Sequence, residues 1–389
     1  MQAFLGTPLS GKRDTLTPWN IKEYRGDFTI VISVMPVCLL YCKLMNLADY
    51  TYDLPETAIA LHPPKERGSS RLLVLGRNNG EIKDDFYKNL MDYLKPGDLI
   101  VINNTKVLPA RLIANAENGA ERELLLLEQH GHKTDHHESL VMYRRTLRNG
   151  QILSAGKATI TIHEIFHNGT ALVKSDTDLW ELADEIGSVP LPPYMHRNEE
   201  PGDRERYQTV FAKEKGSVAA PTASLNLTPD LMNTIRGKGI RIAELTLHVG
   251  LGTFMPIRVE DVTKHKMHQE YFEIPADTTQ AIRKTKEQGG RVIAIGTTVT
   301  RTLEFAADKI LSSQGGTLGT ISGEADIFIY PGYEFKIVDG LLTNYHAPQS
   351  TVLMMAAAFA GWDNLEHAYQ HALKEEYKFL SYGDSMLIV

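Results

Sequence analysis

The second half of the chain alternates short apolar runs with amphipathic segments. Residues are almost continuously apolar over parts of 240–249 and over 291–295, which is typical of strands buried on both faces. Segments with helical periodicity follow, over 277–288 and 297–311. Strands that alternate with helices in this way predict a layered α/β domain whose sheet is largely covered.

The same pattern predicts further elements on either side of these segments. They are a strand over 99–102, a helix that Thr228 and Pro229 open and that runs to about 238, strands over 326–330 and 337–344, and a helix that Ser350 caps and that runs to 360.

Residues 104–190 follow a different pattern. Short apolar alternations at 123–128, 158–162 and 171–173 are split by polar breaks, and helical periodicity is weak before 177–186. A proline cluster at 189–193 closes this stretch. We therefore predict a discontinuous α/β catalytic domain, formed by 45–103 and 191–389, that carries a small antiparallel β-barrel inserted at 104–190.

The first 44 residues are interpreted as an extension outside the fold, and Met45 is a candidate for the true start. Within the extension, Thr29–Cys42 is apolar but too short for a spanning helix, and it contains Pro36, so no membrane association is expected. Cys38 and Cys42 are the only cysteines, which supports neither a disulfide framework nor a thiolate metal site. We expect a reducing, cytoplasmic location.

The formal net charge of −7 argues against a protein that coats nucleic acid by bulk electrostatics. This net charge does not exclude an RNA substrate that is bound by a local basic patch. Two basic clusters, one at 144–148 and one at 283–291, are either solvated faces or contacts to an RNA backbone.

Four loops that follow predicted strands or precede helices are rich in chemically useful side chains: 219–226, 246–253, 295–301 and 344–351. Ligands of α/β proteins collect at the ends of strands, so these loops predict a binding site. His265 and His268, with His248, form an alternative metal-ligand set typical of a metal-dependent hydrolase.

Many segments, in order, resemble one family, the S-adenosylmethionine:tRNA ribosyltransferase-isomerases of queuosine synthesis. They are DLPE at 53–56, ER at 66–67 with SRL at 70–72, NNTKVLPAR at 103–111, LPPY at 191–194, RYQTV at 206–210, VAAPTA at 218–223, TLHVG at 246–250, GTT at 296–298 with Arg301, IYPG at 329–332, TNYH at 343–346 and SYGD at 381–384.

The resemblance implies transfer and isomerisation of the ribosyl group of S-adenosylmethionine onto 7-aminomethyl-7-deazaguanine at the tRNA wobble position. Epoxyqueuosine forms, and adenine and methionine are released. The implied partners are tRNA and S-adenosylmethionine; no other cofactor and no metal is expected, and the oligomeric state is left open, a monomer being compatible.

Residue type and motif position suggest roles. His248 and His346 are acid/base candidates, with His268 in reserve, because an imidazole titrates near working pH. The candidate substrate-binding residues are Arg71, Asn104, Lys106, Arg111, Thr222, Asn226, Gly250, Thr297, Thr298, Arg301, Asn344 and Asp384.

The chain departs from the family pattern in two loops. The family's usual AGLHF is replaced by ASLNL at 223–227, so that Ser224 and Asn226 stand where a glycine and an imidazole are expected, and Gln349 replaces a common glutamate. An amide cannot shuttle a proton at neutral pH. These changes motivate a second hypothesis, a non-catalytic or altered-specificity paralogue that binds tRNA or a nucleoside.

Overall fold

A computed structural model describes residues 45–127, 137–167, 169–250, 257, 259–312 and 319–389. The predicted extension, residues 1–44, lies outside the described residues. In the part of the chain that is described, no helix has the length and apolar character needed to cross a membrane.

The strands and helices are numbered in chain order. The strands are β1 (Arg71–Leu75), β2 (Ile82–Phe86), β3 (Leu99–Asn103), β4 (Thr105–Val107), β5 (Arg111–Ala116), β6 (Glu121–Leu127), β7 (Glu138–Arg144), β8 (Ile152–Ala155), β9 (Ala158–Ile165), β10 (Thr170–Ser175), β11 (Glu214–Ser217), β12 (Arg241–Leu247), β13 (Glu270–Ile274), β14 (Val292–Ile295), β15 (Ile321–Ala325), β16 (Gly340–Asn344) and β17 (Ser385–Ile388). The helices are α1 (Leu179–Ile186), α2 (Asp203–Arg206), α3 (Pro229–Gly237), α4 (Ala276–Glu287), α5 (Thr297–Phe305), α6 (Ala307–Leu311), α7 (Thr351–Ala360) and α8 (Trp362–Lys374).

The large sheet has the strand order β15-β13-β12-β3-β14-β16-β17-β1-β2. Its centre, from β12 through β3 and β14 to β16, is parallel. Alternate residues of these strands enter two separate hydrophobic cores, one containing Val101 and Ala294 and the other Ile100 and Ile293. Burial on both faces explains why the central strands are continuously apolar in sequence.

Strands β5 to β10 close into an antiparallel barrel with the order β10-β7-β6-β5-β8-β9. Side chains such as Leu124, Ile160 and Val173 alternate into its interior and are fully buried there. The fold class predicted from sequence, a layered α/β fold with an antiparallel barrel, is confirmed. Strand β4 lies within the predicted insertion, but it pairs with β11, outside the barrel.

Three predicted elements differ from the structure. Residues 326–330 are not a strand. The strand that pairs with β13 is β15, which ends at Ala325, one residue before the predicted strand begins. The strand predicted over 337–344 begins only at Gly340, because the backbone N–H groups of Ile337 and Val338 donate to the Glu304 carboxylate. The helix predicted over 297–311 is two helices, which meet at Ala306.

The parallel centre of the sheet brings four strand ends to one edge. Asn103 links the end of β3 to the end of β12: its amide donates to the Leu247 carbonyl at 2.9 Å, and its oxygen accepts from the Leu247 N–H at 3.1 Å. The same amide donates to the Thr298 hydroxyl at 3.3 Å. The segments after β12 and β14 are thereby held side by side.

Candidate active site

A cavity of about 410 Å³ lies at this edge of the sheet. Its wall is formed by segments that follow β14 and β16, by the loop before α3, and by the proline segment before α2. Of the residues proposed from sequence, six line it: Thr222, Thr297, Thr298, Arg301, Asn344 and His346. The structure therefore brings together all four loops that the sequence singled out, although 246–253 contributes only Val249 to the described lining.

His346 follows β16 and faces the cavity. Its Nε2 is 2.8 Å from the Thr343 hydroxyl, and its backbone N–H donates to the Tyr369 hydroxyl at 2.9 Å. Its carbonyl accepts from the Tyr52 hydroxyl. Burial lowers the pKa of His346 to about 3, because the cationic imidazolium would lose its hydration. The ring is therefore neutral at physiological pH, and the same burial makes it a weaker base than the near-neutral imidazole expected from sequence.

Two hydroxyl-bearing loops meet beside this imidazole. The Thr222 hydroxyl donates to the Asn344 side-chain oxygen at 2.9 Å, and the Asn344 amide reaches the Asp384 carbonyl at 3.4 Å. Asn344 is buried, so its orientation is set by these partners. The hydrogen bond fixes the 219–223 loop against the end of β16.

Helix α5 begins at the cavity. Gly296 precedes it with φ of 97°, a left-handed conformation that suits glycine. No described side chain caps the first turn, and Thr297 and Thr298 both line the cavity. The uncapped N–H groups and the helix dipole give this part of the wall a partial positive charge.

A buried ion pair lies in the same wall. Arg301, on α5, is bonded through Nη1 to a carboxylate oxygen of Glu270, at the start of β13. The two residues are 7% and 3% exposed. The other Glu270 oxygen accepts from the Gly250 N–H at 3.2 Å. Gly250, proposed from sequence as substrate-binding, thus contacts the ion pair and is not itself part of the cavity lining.

The structure places His248 outside the cavity lining. Its Nδ1 is 2.7 Å from the Thr105 hydroxyl, and its ring stacks on Tyr271 with 5.9 Å between centroids. The residue is buried. These contacts describe a packed side chain that joins β4 to β13, although the sequence assigned it the same acid/base role as His346.

His265 and His268 lie on a surface groove with Phe328 and Tyr330. Burial, and then the neighbouring His268, lower the pKa of His265. Within the described ranges, no three His, Cys, Asp or Glu side chains are grouped so as to hold a metal ion, so His248, His265 and His268 do not form the three-ligand set considered from sequence.

The other residues proposed from sequence make contacts outside the cavity lining. Asp384 accepts from the backbone N–H groups of Arg71 and Lys378 at 2.7 and 2.8 Å, and the Arg71 guanidinium stacks on Tyr377. Asn104 bonds to Thr246 and Glu244. Asn226 accepts from the Ser70 hydroxyl at 3.0 Å, Lys106 is exposed on β4, and Arg111 pairs with Glu123 in a groove beside the barrel.

Sequence reasoning missed Glu270 as a site residue. A signal was available, because Glu270 alternates with Phe272 and Ile274 along β13, and all three are buried. A carboxylate at an inward-facing position needs a charged or hydrogen-bonding partner. It also missed Tyr194, whose hydroxyl bonds to Ser381 and ties the proline segment to the C-terminal region at the cavity rim.

Comparisons with known proteins agree with this architecture. A profile of the family described as queuosine biosynthesis protein matches residues 47–388. The S-adenosylmethionine:tRNA ribosyltransferase-isomerases of Chlorobium phaeobacteroides and Chlorobium chlorochromatii are 53% and 54% identical to this chain, and the matches cover 89% and 88% of it and 100% of each relative. The crystal structure of S-adenosylmethionine tRNA ribosyltransferase from Thermotoga maritima is 32% identical with a TM-score of 0.50, covering 88% of this chain and 100% of that one. The chain belongs to the S-adenosylmethionine:tRNA ribosyltransferase-isomerase family of queuosine biosynthesis.

Proposed function

We propose that the cavity at the strand ends binds S-adenosylmethionine, and that the ribosyl group is transferred there and isomerised onto 7-aminomethyl-7-deazaguanine at the wobble position of tRNA. The products are epoxyqueuosine in tRNA, adenine and methionine. The observation that carries the proposal is the joint lining of one cavity by a neutral imidazole, several hydroxyls and a buried ion pair, in a chain of this family.

The size and the lining of the cavity suit a nucleoside-sized ligand. Its volume of about 410 Å³ is within the range of small-molecule sites, and apolar side chains such as Val249 and Val352 share the wall with the polar groups. A larger groove of about 880 Å³ runs beside the barrel, and two of the arginines that line it are paired with glutamates, as Arg111–Glu123 and Arg204–Glu199. It offers no comparable set of acid/base groups.

The chemistry of the donor explains which groups the site requires. The sulfonium acidifies the C5′ hydrogens, so that a placed base can remove one of them. Adenine departs more easily when a ring nitrogen receives a proton or a hydrogen bond. Methionine leaves as a neutral thioether when the epoxide closes. Because the sulfonium supplies both the acidic hydrogen and the leaving group, we propose no cofactor beyond S-adenosylmethionine.

His346 is our candidate for the proton acceptor. Its ring is unprotonated at neutral pH, and the Thr343 hydroxyl and the Tyr369 contact hold it at the cavity wall. Thr222, Thr297 and Thr298 are positioned to donate or accept hydrogen bonds along the ligand. We propose that the chain acts on tRNA in the cytoplasm.

The non-catalytic alternative depends on three sequence departures, none of which lines the cavity. Asn226 is buried against Ser70, and Ser224 is fully buried behind the wall. Gln349 is exposed, with its N–H bonded to the Tyr50 carbonyl. A change at these positions alters packing behind or beside the site, so it leaves the proposed acid/base group in place.

The test is an assay of the full chain with S-adenosylmethionine and tRNA that carries 7-aminomethyl-7-deazaguanine. We expect stoichiometric adenine and epoxyqueuosine, and a loss of about 10²–10⁴-fold in kcat for His346→Ala. The matched variant is His248→Ala, for which we expect lower stability and a much smaller loss of kcat in the folded fraction. Absence of adenine release from the unsubstituted chain would overturn the function, and near-normal activity of His346→Ala would remove that residue's role.

A further inference from the structure

The buried ion pair between Arg301 and Glu270 has no evident structural need. Taking two charges out of water is expensive, and a well-packed apolar pair is often as stable or more stable. Here both residues face a cavity. Arg301 uses Nη1 for the ion pair, and its buried Nε has no hydrogen-bond partner among the described residues. The guanidinium therefore keeps unused donor capacity beside a cavity.

The N-terminus of α5 adds a second anion-binding element to the same wall. Two helices of eight or more residues begin at the cavity, α5 and α7. Ser350 caps α7 by accepting from the Leu353 N–H at 3.2 Å. Gly296, at the equivalent position of α5, provides no side chain for this purpose. The first-turn N–H groups of α5 are left for an external acceptor, one turn from Arg301.

We infer that this wall binds the zwitterionic α-amino acid end of S-adenosylmethionine, which rests on the proposed function of the cavity. The carboxylate is bound by Arg301 and the first turn of α5, and the ammonium by the Glu270 carboxylate. Opposite charges of the ligand then meet opposite charges of the protein, and the local net charge stays close to zero. The ion pair holds both groups in place before the ligand arrives, which lowers the cost of ordering them.

The charge pattern favours this ligand over a phosphate of the tRNA backbone. A phosphate carries no cation, so it would place its negative charge beside Glu270 without compensation. An amino acid supplies an ammonium next to its carboxylate. Both the carboxylate of the amino acid and a tRNA phosphate would place an anionic oxygen group at Arg301. Experiment can distinguish these two sources.

The experiment measures the affinity of the full chain for three nucleosides by calorimetry. S-adenosylhomocysteine has the complete amino acid end, decarboxylated S-adenosylhomocysteine has only the ammonium, and 5′-methylthioadenosine has neither group; all three are uncharged at sulfur. We expect the complete end to bind about 100-fold more tightly than 5′-methylthioadenosine, as charge-assisted hydrogen bonds allow.

The variants locate this preference. Arg301→Lys and Glu270→Gln should each weaken S-adenosylhomocysteine binding by about 10-fold or more and leave 5′-methylthioadenosine binding unchanged, and Glu270→Gln should remove the benefit of the ammonium in the decarboxylated compound. The matched control is Arg241→Lys, whose arginine bonds to Thr285 outside the cavity lining. Thermal unfolding of each variant confirms that it is folded.

Each contrary result has a separate meaning. Equal binding of S-adenosylhomocysteine and 5′-methylthioadenosine by the unsubstituted chain overturns the inference, whatever the variants do. An unchanged preference in both variants overturns it as well. If Arg301→Lys weakens tRNA binding and leaves S-adenosylhomocysteine binding unchanged, the anion is a phosphate and the assignment is wrong. Failure of every nucleoside to bind removes the proposed function along with the inference.

Discussion

At the scale of single residues, His248 and His346 differ in what the fold does with them. Both follow a strand of the central sheet, and both are imidazoles flanked by apolar residues. His346 faces the cavity, whereas His248 is bonded to Thr105 and stacked on Tyr271. Local sequence cannot show which of the two histidines faces the cavity. A strand buried on both faces has no alternation of polar and apolar residues, so its sequence does not indicate to which side of the sheet the next side chain points.

The neutral state of His346 has a consequence for stability. Its pKa in the folded chain is about 3, whereas an unfolded histidine titrates near its ordinary value of about 6.5. As pH falls below about 6.5, the unfolded state takes up a proton that the folded state does not, so the free energy of unfolding decreases. The contribution is fully present above that value and is lost progressively towards pH 3.

We therefore expect His346→Gln to reduce the acid sensitivity of the fold. Between about pH 7.5 and about pH 5, the free energy of unfolding of the unsubstituted chain should fall by about 1–2 kcal/mol more than that of the variant. Urea unfolding at the two pH values measures the difference. His163→Gln, an exposed position on β9, is the control and should behave like the unsubstituted chain. Identical pH dependence of all three proteins would contradict the buried neutral state.

At the scale of elements, the sequence predicts helix starts better than strand pairing. The hydroxyls of Thr228 and Ser350 accept from Leu231 and Leu353 at 3.1 and 3.2 Å, so both predicted N-caps are confirmed. These signals are local. The strand predicted over 326–330 is wrong, because the pairing that decides it involves β13, about 50 residues away, and β13 pairs with 321–325. The alternation of a segment does not show whether the strand beside it already pairs with another segment.

A second non-local interaction explains the late start of β16. The Glu304 carboxylate, on α5, accepts from the N–H groups of Lys336, Ile337 and Val338 at 2.8, 3.0 and 2.9 Å, and from the Tyr333 hydroxyl at 3.2 Å. Glu304 is only 3% exposed. One carboxylate thus accepts hydrogen bonds from several N–H groups of a turn that would otherwise lack acceptors. The same bonds fix α5 relative to the loop that precedes β16.

Glu304→Gln should therefore destabilise the chain by about 2–4 kcal/mol, because the amide group turns a donor towards buried backbone N–H groups and leaves at least one of them unpaired. The measurement is the free energy of unfolding in urea. Glu334→Gln, on the same turn but exposed, is the matched control and should cost less than about 0.5 kcal/mol. Similar losses in the two variants would mean that the hydrogen bonds to Glu304 are not what stabilises this turn.

At the scale of the whole molecule, the structure separates the two basic clusters that the sequence left equivalent. Around α4 three of the four cations bond internally: Arg283 bonds to the carbonyls of Ile310 and Ser312, Lys286 pairs with Asp339, and Arg291 pairs with Asp98, whereas Lys284 is exposed. On the barrel, by contrast, Arg144, Arg145 and Arg148 are all exposed. Composition alone could not distinguish a structural cation from an available one, since that depends on which acidic groups and carbonyls the fold brings near.

The exposed cluster is where a polyanion can be bound by a chain whose net charge is −7. Among the described residues, Arg144 is 3.8 Å from Glu123 and Arg145 reaches the Glu121 carbonyl at 3.4 Å, so neither forms a close ion pair with them. Each phosphate contact releases counterions and adds about 0.7–0.9 to the slope of log affinity against log salt concentration. If the barrel contacts tRNA through these arginines, the slope should report it.

We expect the triple replacement of Arg144, Arg145 and Arg148 by Ser to raise the KM for tRNA by about 10-fold and to reduce the salt slope by about 1–3, while the KM for S-adenosylmethionine stays the same. The triple replacement of Lys284, Lys309 and Lys374 by Ser removes three exposed charges on α4, α6 and α8 and controls for net charge. An equal change in both proteins would indicate a general electrostatic effect. An unchanged salt slope in the triple variant would place the tRNA on another face, because phosphates bound by these guanidinium groups cannot lose their partners without changing the number of ions released.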